Sequence, residues 1–559
     1  MSIETARKIG KDETVYRSVV ERYLHDFHSR HPTLALCSGL HDWDGCLEDL
    51  SCEGLAEEAR AVRAYIGQLA DIDPEKLTRS DRLDLQFLLS NGQARLHEIE
   101  EVRTWERNPQ LYGDTLATGM LNLALFDHCS DSDKSEAITK KLIETPRLIE
   151  SARRNIKNPA PVFVKHGITS ISGALRLVEE SLPRMFSDTG TERTRSELMS
   201  AVDEASRSLR GFLSYLKNDL ASRSKGDFAL GRTAYEAKLR YEEGVDIPSD
   251  ELLRMGLERL READDDFRRT AARIDSRVEP NVIWQQIKQD HPDGGQLVPT
   301  AESQLEELIR FIEERRIVSL NGANAIKVGL TPEFLRWTFA SLWPLGAFED
   351  RPFAARYLVT DVASHWSDAE KQQHLSYFAY PVLWIISIHE AYPGHAVQFS
   401  HLKNVKSPIR KVVGLAPGSF VEGWAHYTEQ MMIDEGFGEG DPRIRLGQLS
   451  QSLIRLCRLV VSIKMHTQGM TIEEATQFFM EQGRCEQLPA RAEAERGAFD
   501  PGYLTYALGK MRIEKLREEF KRAAGDQFVL RDFHDRLLEI GMAPLWLHNE
   551  LMLGSSLEP

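Results

Sequence analysis

The sequence is poor in cysteine and has neither a long apolar run nor a block of positive charge. Its 6 cysteines in 559 residues form no Cys-x-x-Cys pair, which excludes a dense disulfide framework and favours reduced, packed thiols. The longest apolar run, residues 381–388, is too short to cross a bilayer, and residues 1–10 lack the apolar core of a signal peptide. We therefore expect a soluble, cytoplasmic protein that does not bind a membrane.

Charge and composition narrow the class of protein further. With 70 Lys and Arg against 86 Asp and Glu, the formal net charge is −16, and no basic block is present to neutralise phosphates. Nucleic acid is therefore not an expected partner. Hydrophobic residues make up 42% and charged residues 28% of the chain, as in ordinary globular proteins, and its length favours two lobes. The composition does not indicate an oligomeric state.

Helical periodicity dominates the first part of the chain. Apolar residues recur at steps of three and four from Leu198 to Leu220, and again from Val15 to Phe27 after a potential helix cap, Asp12. Comparable stretches predict further helices near residues 55–69, 80–98, 135–155, 171–182 and 249–274.

Segments typical of β-strands are few and lie late in the chain, at residues 325–330 and 355–360. A polar stretch at residues 222–227 is the best candidate for a boundary between lobes. We therefore predict a mainly α fold, a large helical protein with a small β-sheet. Its N-terminal helical lobe would comprise residues 1–226, and its C-terminal metal-binding catalytic lobe residues 227–559.

A buried helix that ends in two ionisable residues indicates where the chemistry lies. From Pro381 the chain reads PVLWIISIHE, in which proline suits a first helical turn and the almost uniformly apolar residues imply burial on all sides. His389 and Glu390 end this stretch. Burying both side chains is costly without a partner, and a divalent metal ion is one of few partners that would satisfy both.

The next histidine, His395, follows His389 by six residues, whereas the zinc-peptidase pattern His-Glu-x-x-His separates its histidines by four. In an unbroken helix a separation of six places the two imidazoles about 120° apart, so a shared metal ion requires a break in the helix. Pro393 and Gly394 favour such a break, because proline removes a helical N–H and glycine adopts backbone angles closed to other residues.

A third ligand is expected further along, since catalytic zinc sites usually combine three protein ligands with a water. The best candidate is Glu422, in the first turn of a helix that Ser419 would cap. His426 and Glu429 lie about one and two turns beyond it, as groups that orient the ligands or as substitute ligands. The alternative without a metal is that both histidines are satisfied core or loop residues and Glu422 is an ordinary carboxylate near a helix cap.

The sequence resembles the family known as domain of unknown function 885. The family pattern His-Glu-x-x-Pro-Gly-His-x-x-Gln is present at residues 389–398, and its later Glu-Gly-Trp-Ala-x-Tyr at residues 422–427. Looser matches at residues 31–51 and 500–510 extend the resemblance over most of the chain.

This resemblance implies a function. Members of the family are regarded as largely helical zinc metallopeptidases of the gluzincin type, and residues 422–425 are also similar to the glutamate-ligand motif of zinc aminopeptidases. The resemblance therefore implies Zn²⁺ as the cofactor and His389, His395 and Glu422 as its ligands. It also implies that the small sheet lies beside a gluzincin-like active-site helix.

In the expected mechanism, the metal lowers the pKa of a bound water and polarises the scissile carbonyl, while Glu390 takes the proton of the water and passes it to the leaving nitrogen. A phenol aimed at the carbonyl oxygen would contribute about 3 kcal/mol or more, and Tyr503 and Tyr506 are the candidates. The alternative is that both tyrosines are ordinary packed residues without a catalytic role. Lys510 and Arg512 are candidates for binding a substrate carboxylate or the same oxygen.

Three functions remain open on this reasoning. The preferred one is a zinc-dependent peptidase that cleaves the amide bonds of short peptides. The second is a zinc-dependent hydrolase of a C–N bond in a small metabolite, and the third is a non-catalytic helical binding protein, against which the intact Glu390 counts. An exposed edge strand at residues 355–360 would favour peptides, which pair with such edges through main-chain hydrogen bonds. Its alternative is a short structural strand.

Overall fold

A computed structural model describes most of the chain. Residues 1–10, which carry the expectation that no signal peptide is present, lie outside the described part, as does Ala325 at the start of the first predicted strand. The described residues are 11–323, 326–332, 339–350 and 354–554.

The chain folds as two compact units. The first contains the described residues up to Gly226 and the segment Lys406–Leu415, and the second contains Asp227–Val405 and the described residues from Ala416 onward. The division after Gly226 falls inside the polar stretch that the sequence suggested as a boundary. The second unit differs from the predicted lobe of residues 227–559 in one respect, because Lys406–Leu415 belongs to the first unit.

Helices joined by turns make up the described part of the first unit. They are α1 (Lys11–Arg30), α2 (Pro32–Ser38), α3 (Cys52–Ala70), α4 (Arg79–His97), α5 (Thr104–Arg107), α6 (Gln110–Leu125), α7 (Asp131–Asn155), α8 (Pro161–Arg176), α9 (Leu182–Met185), α10 (Glu192–Tyr215) and α11 (Ala221–Arg223). The apolar stripe that begins at Leu198 is buried on α10, which packs against α7. Asp12 lies in the first turn of α1 instead of capping it.

The second unit adds strands to its helices. Its helices are α12 (Arg232–Glu243), α13 (Ser249–Ile274), α14 (Pro280–Ile287), α15 (Leu297–Arg315), α16 (Asp368–Leu375), α17 (Tyr380–Glu390), α18 (His395–His401), α19 (Gly418–Asp434), α20 (Pro442–Thr467), α21 (Ile472–Glu481), α22 (Gln487–Phe499), α23 (Thr505–Ala524), α24 (Leu530–Ile540) and α25 (Leu545–Leu553). Its strands are β1 (Ile326–Leu330), β2 (Ala340–Trp343) and β3 (Ala355–Val359).

The three strands form one sheet in the order β1-β3-β2, with β3 parallel to β1 and antiparallel to β2. Tyr357 at the centre of β3 lies opposite Val328 of β1 and Leu342 of β2. Residues 355–359 are therefore not the exposed edge strand that would have favoured a peptide substrate. Both sides of the β3 main chain pair with neighbouring strands, so β3 is not available to an extended peptide.

The sheet lies beside the helix that carries the predicted chemistry. The phenol oxygen of Tyr357 in β3 is 3.3 Å from the hydroxyl oxygen of Ser387 in α17, and both residues are buried. Helices account for most of the described residues, and the strands are confined to this one small sheet. The predicted fold class, mainly α with a small β-sheet, is confirmed.

Candidate metal centre

The helix that carries the first predicted ligand and the predicted general base stops where the sequence predicts a break. Helix α17 ends at Glu390, and α18 begins at His395. Between them the N–H groups of Ala391 and Tyr392 both donate to the carbonyl oxygen of Ser387, at 3.0 and 3.2 Å. The main chain thus leaves the helix after Glu390 and starts a new one at His395. The two imidazoles are therefore not held about 120° apart, as they would be in an unbroken helix.

Gly394 is required at this break for reasons of space. Its φ is −70°, so a left-handed backbone does not explain the glycine. A Cβ atom at position 394 would instead lie 1.8 Å from the carbonyl oxygen of His389. The indole N–H of Trp424 donates to the carbonyl oxygens of Pro393 and Gly394, at 3.0 and 3.2 Å, and thereby fixes the break against α19.

The three predicted ligands converge. The rings of His389 and His395 lie with their centroids 4.8 Å apart and their planes at 85°. Their Nε2 atoms are 3.4 and 3.5 Å from Oε2 of Glu422, and one donor atom from each residue lies within 4.8 Å of the others. Zinc bonds to nitrogen and oxygen are about 2.0–2.2 Å long, so neighbouring ligands of a tetrahedral ion lie about 3.3–3.6 Å apart.

Glu422 supplies a second reason to assign a metal to this cluster. Its Oε2 atom is buried and forms no hydrogen bond, although two imidazole nitrogens lie close to it. A buried oxygen without a hydrogen bond is costly, and a divalent cation would satisfy it. The residues present therefore fit a metal ion.

Electrostatics couple the three ligands. Burial disfavours the charged form of His389, but the nearby carboxylates of Glu422 and Glu429 outweigh this effect and raise its pKa to about 9. Burial also works against ionised Glu422, yet the two histidines hold its pKa well below the usual value. The protein has thus placed an ionised carboxylate between two imidazoles, whose protons a metal ion would replace.

Glu429 orients the ring of His389 through a hydrogen bond at Nδ1. One carboxylate oxygen, Oε1, is 2.8 Å from Nδ1 of His389, and the other, Oε2, is 3.0 Å from Nδ1 of His426. Arg455 of α20 balances the buried charge, with Nη2 2.9 Å from Oε1. Burial opposes ionisation of Glu429, but Arg455 first and then the histidines lower its pKa. A proton held on Nδ1 of His389 leaves Nε2 directed at the metal position.

The helix that delivers Glu422 is capped by a residue that the sequence did not suggest. Helix α19 begins at Gly418, and the N–H groups of Gly418 and Ser419 donate to the carboxylate of Glu243, at 3.1 and 2.9 Å. The hydroxyl of Ser419 forms no hydrogen bond, so the prediction that Ser419 caps this helix is wrong. Glu422 consequently lies in the second helical turn, and the carboxylate of Glu243 complements the positive end of the helix.

Helices α19 and α23 cross with their main chains in close contact, which fixes the position of α19. A Cβ atom at Gly423 would lie 2.5 Å from Cα of Gly509, and one at Gly509 would lie 1.8 Å from the carbonyl oxygen of Ser419. Only glycine allows the two main chains to approach this closely. The crossing brings α23, with Tyr506, beside the ligand helix.

Tyr506 lies next to the ligands. Its ring stacks on that of His389, with centroids 6.3 Å apart and an angle of 17° between the planes. Nη2 of Arg496 is 3.4 Å from the phenol oxygen, and the guanidinium of Arg458 lies 4.9 Å from the ring centroid. Burial raises the pKa of this phenol, and Glu422 adds to the effect. Tyr506 therefore keeps its proton at neutral pH.

Tyr503, the second predicted phenol, packs elsewhere. Its oxygen is buried, forms no hydrogen bond within the described part of the chain and lies beside Gly497, where an added Cβ would approach it to 2.4 Å. Its hydrogen bonds and ring contacts among the described residues include none of the three ligands. The structure thus brings Tyr506, and not Tyr503, to the candidate centre.

Glu390 is available for proton transfer. Its side chain is partly exposed at the end of α17, next to His389, and the described part of the chain offers it no hydrogen bond or ion pair. Its charge lies near the phenol of Tyr357, whose pKa is raised first by burial and then by Glu390. A carboxylate that is not engaged by another residue suits a general base.

Lys510 and Arg512 form hydrogen bonds with residues other than the three predicted ligands. Nζ of Lys510 donates to the side-chain oxygen of Gln430, at 2.6 Å. Arg512 donates to the main-chain oxygen of Glu243, at 3.3 Å, and lines a cavity of about 790 Å³ that also contacts Trp546. None of the three ligands lines this cavity. The contacts of Arg512 thus do not connect it with the metal centre, and its role in binding a substrate stays a prediction.

Two solved structures share the fold of this chain. One, from Shewanella oneidensis, is described as "a putative lipoprotein of unknown function"; it is 24% identical, has a TM-score of 0.79, and the match covers 96% of this chain and 99% of that chain. The other, a "putative lipoprotein" from Colwellia psychrerythraea, is 17% identical with a TM-score of 0.82, and the match covers 97% and 98%. No curated protein is significantly similar to the sequence.

The predicted cytoplasmic location is wrong in the light of these structures. Both are described as lipoproteins, a class that a lipid anchors to a membrane, so this fold does not indicate a cytoplasmic protein. Composition could not reveal the location, because targeting depends on short segments and not on the folded body. Among the described residues, no helix combines the length and apolar character needed to span a membrane.

The family is established by its own sequence profile. The family described as "Bacterial protein of unknown function (DUF885)" matches residues 32–552, nearly the whole of the 559-residue chain. The matched region includes both motifs that build the candidate centre, residues 389–398 and 422–427. The chain therefore belongs to the DUF885 family.

Proposed function

We propose that the protein is a gluzincin-like zinc-dependent hydrolase that cleaves the amide bonds of short peptides. The convergence of His389, His395 and Glu422, with donor atoms within 4.8 Å of one another, carries the proposal. The buried Oε2 atom of Glu422, which forms no hydrogen bond, supports a metal at this position, and the unengaged Glu390 supports catalysis over a purely structural role.

His389, His395 and Glu422 would hold the ion. A zinc ion bound there lowers the pKa of water toward neutrality and polarises a carbonyl group. Glu390 would take the proton of the attacking water and pass it to the nitrogen that leaves when the amide C–N bond breaks. Glu429 would keep the proton of His389 on Nδ1, and Arg455 would keep Glu429 ionised.

Tyr506 would donate its phenol proton in a hydrogen bond to the carbonyl oxygen as negative charge develops there. Its position beside His389 and its raised pKa support this role, because the phenol stays protonated at neutral pH. Burial and the stacked ring of His389 restrict its orientation. A donor that is already oriented costs little reorganisation during the reaction.

Two other functions use part of the same site. A zinc-dependent hydrolase of a C–N bond in a small metabolite would need the same ligands and the same base, and the central position of β3 removes one reason to prefer peptides. A non-catalytic helical binding protein would need neither Glu390 nor Tyr506 beside the ligands. Turnover on a panel of short peptides separates the first two, since the metabolite hydrolase would cleave none of them.

Metal content is the first test of the proposal. We expect His389→Ala and Glu422→Ala each to lose one equivalent of zinc per chain, measured by elemental analysis of protein purified without chelators, while Glu390→Gln keeps it. Glu390→Gln should lower peptide turnover by about 10²–10⁴-fold because only the base is removed. Full zinc retention in both ligand variants would contradict the metal centre, and full turnover in Glu390→Gln would contradict the role of Glu390.

A further inference from the structure

We infer that the first unit contains a second metal site, a zinc site formed by His41, Asp44 and His128. This site is independent of the proposed hydrolase centre, whose ligands all belong to the second unit. The three residues lie outside the motifs from which the catalytic proposal was argued.

The three side chains come from two connections that are distant in sequence. His41 and Asp44 lie between α2 and α3, and His128 lies between α6 and α7. Asp44 and His128 are separated by 84 residues along the chain. Neither connection is helical here, so a group that joins them would fix the positions of four helix ends.

The donor atoms are spaced like the ligands of one ion. Oδ2 of Asp44 is 3.1 Å from Nδ1 of His41 and 3.1 Å from Nε2 of His128. The donor atoms of His41, Asp44 and His128 all lie within 4.8 Å of one another. Cys129, whose Sγ is 3.2 Å from the same Nε2 atom, is not part of this group. Neighbouring ligands of a tetrahedral zinc ion are about 3.3–3.7 Å apart, close to these separations.

Burial of the carboxylate adds a second observation. Oδ1 of Asp44 is buried and forms no hydrogen bond, although the side chain as a whole is 15% exposed. The histidine side chains differ, with His128 2% and His41 32% exposed. The site therefore lies just below the surface, where an ion can enter and the carboxylate is already ordered.

The donor set indicates the metal. Two imidazoles and a carboxylate are ligands that suit zinc. The competing arrangement has no metal. In it the two imidazole rings stack with centroids 4.2 Å apart, and both donate to Asp44.

Zinc content tests the second site. Wild type should hold one more equivalent of zinc per chain than Asp44→Asn and His41→Gln, two mild changes that preserve size. His25→Gln, a change to an exposed histidine of α1, is the matched control and should retain all zinc. Undiminished zinc in both cluster variants would show a hydrogen-bonded cluster instead. Loss of zinc in these variants but none in Glu422→Ala would uphold this site and contradict the hydrolase centre.

Discussion

Replacing Glu429 by leucine separates two roles of a buried carboxylate, stabilising the fold and orienting a metal ligand. Glu429 is 0% exposed and contacts His389, His426 and Arg455. Glu429→Leu would leave the buried guanidinium of Arg455 without its carboxylate, and removal of one partner of a buried ion pair costs about 3–5 kcal/mol. We expect the free energy of unfolding to fall by about this amount.

Adding Arg455→Met should restore most of that stability. The double variant replaces both charges by apolar side chains of similar volume, which is often close to neutral for a buried pair. Zinc affinity should behave differently, because His389 still lacks the acceptor that keeps its proton on Nδ1. Loss of such a partner lowers metal affinity by about 10–100-fold, so both the single and the double variant should bind zinc more weakly.

Urea unfolding of the chelator-treated protein measures the first effect, and competition with a zinc chelator of known affinity measures the second. Stability should return in the double variant while zinc affinity does not. The reasoning is refuted if Glu429→Leu binds zinc as tightly as wild type. It is also refuted if the double variant recovers zinc affinity together with stability, because orientation of His389 would then not depend on Glu429.

Three further predictions concern the surroundings of the site and the first unit. Gly394→Ala should abolish zinc binding at the centre, since its Cβ would lie 1.8 Å from the carbonyl oxygen of His389. Retained zinc would show that position 394 tolerates a Cβ atom. Glu243→Ala should lower the free energy of unfolding by about 0.5–2 kcal/mol through loss of a helix cap, as measured in urea. Burial raises the pKa of Glu58, but two hydrogen bonds of 2.6 Å from Arg95 outweigh it and lower the pKa overall. Its stabilisation is therefore complete above pH 4.5 and lost as the pH falls below that value, so Glu58→Gln should flatten this part of the stability profile.

Local patterns predicted the helices and the strands β1 and β3, but neither β2 nor the order of the strands in the sheet. The helix expected at residues 249–274 is α13, with the same ends, because its apolar stripe and flanking residues are contained within one segment. The helix expected at residues 171–182 is the end of α8 (Pro161–Arg176), followed by a π-helical turn at Leu177–Ser181 and the start of α9. β2 shows no alternation that would mark it as a strand, so the central position of β3 depended on a pairing that the sequence did not reveal.

The same division applies to the candidate centre. His389, His395 and Glu422 were predicted because ligand chemistry restricts residue type and spacing. Arg455 and Glu243 were missed because they reach the site from α20 and α12, and their positions depend on how those helices pack. The approach of Gly423 to Gly509 was missed for the same reason, as the two glycines lie in separate motifs. Sequence spacing indicated the candidate ligands, and helix packing supplies the groups that hold them in place.

The two tyrosines of the closing motif offer a matched test of catalysis. Tyr506→Phe should lower kcat by about 10²–10³-fold with zinc content unchanged, because it removes one hydrogen-bond donor to the developing oxyanion and no ligand. Tyr503→Phe should leave kcat unchanged, since the phenol of Tyr503 lies beside Gly497 and away from the ligands. It should also preserve or slightly raise stability, because it removes a buried hydroxyl that forms no hydrogen bond. Equal effects of the two substitutions on kcat would show that the position of Tyr506 beside His389 has no catalytic consequence.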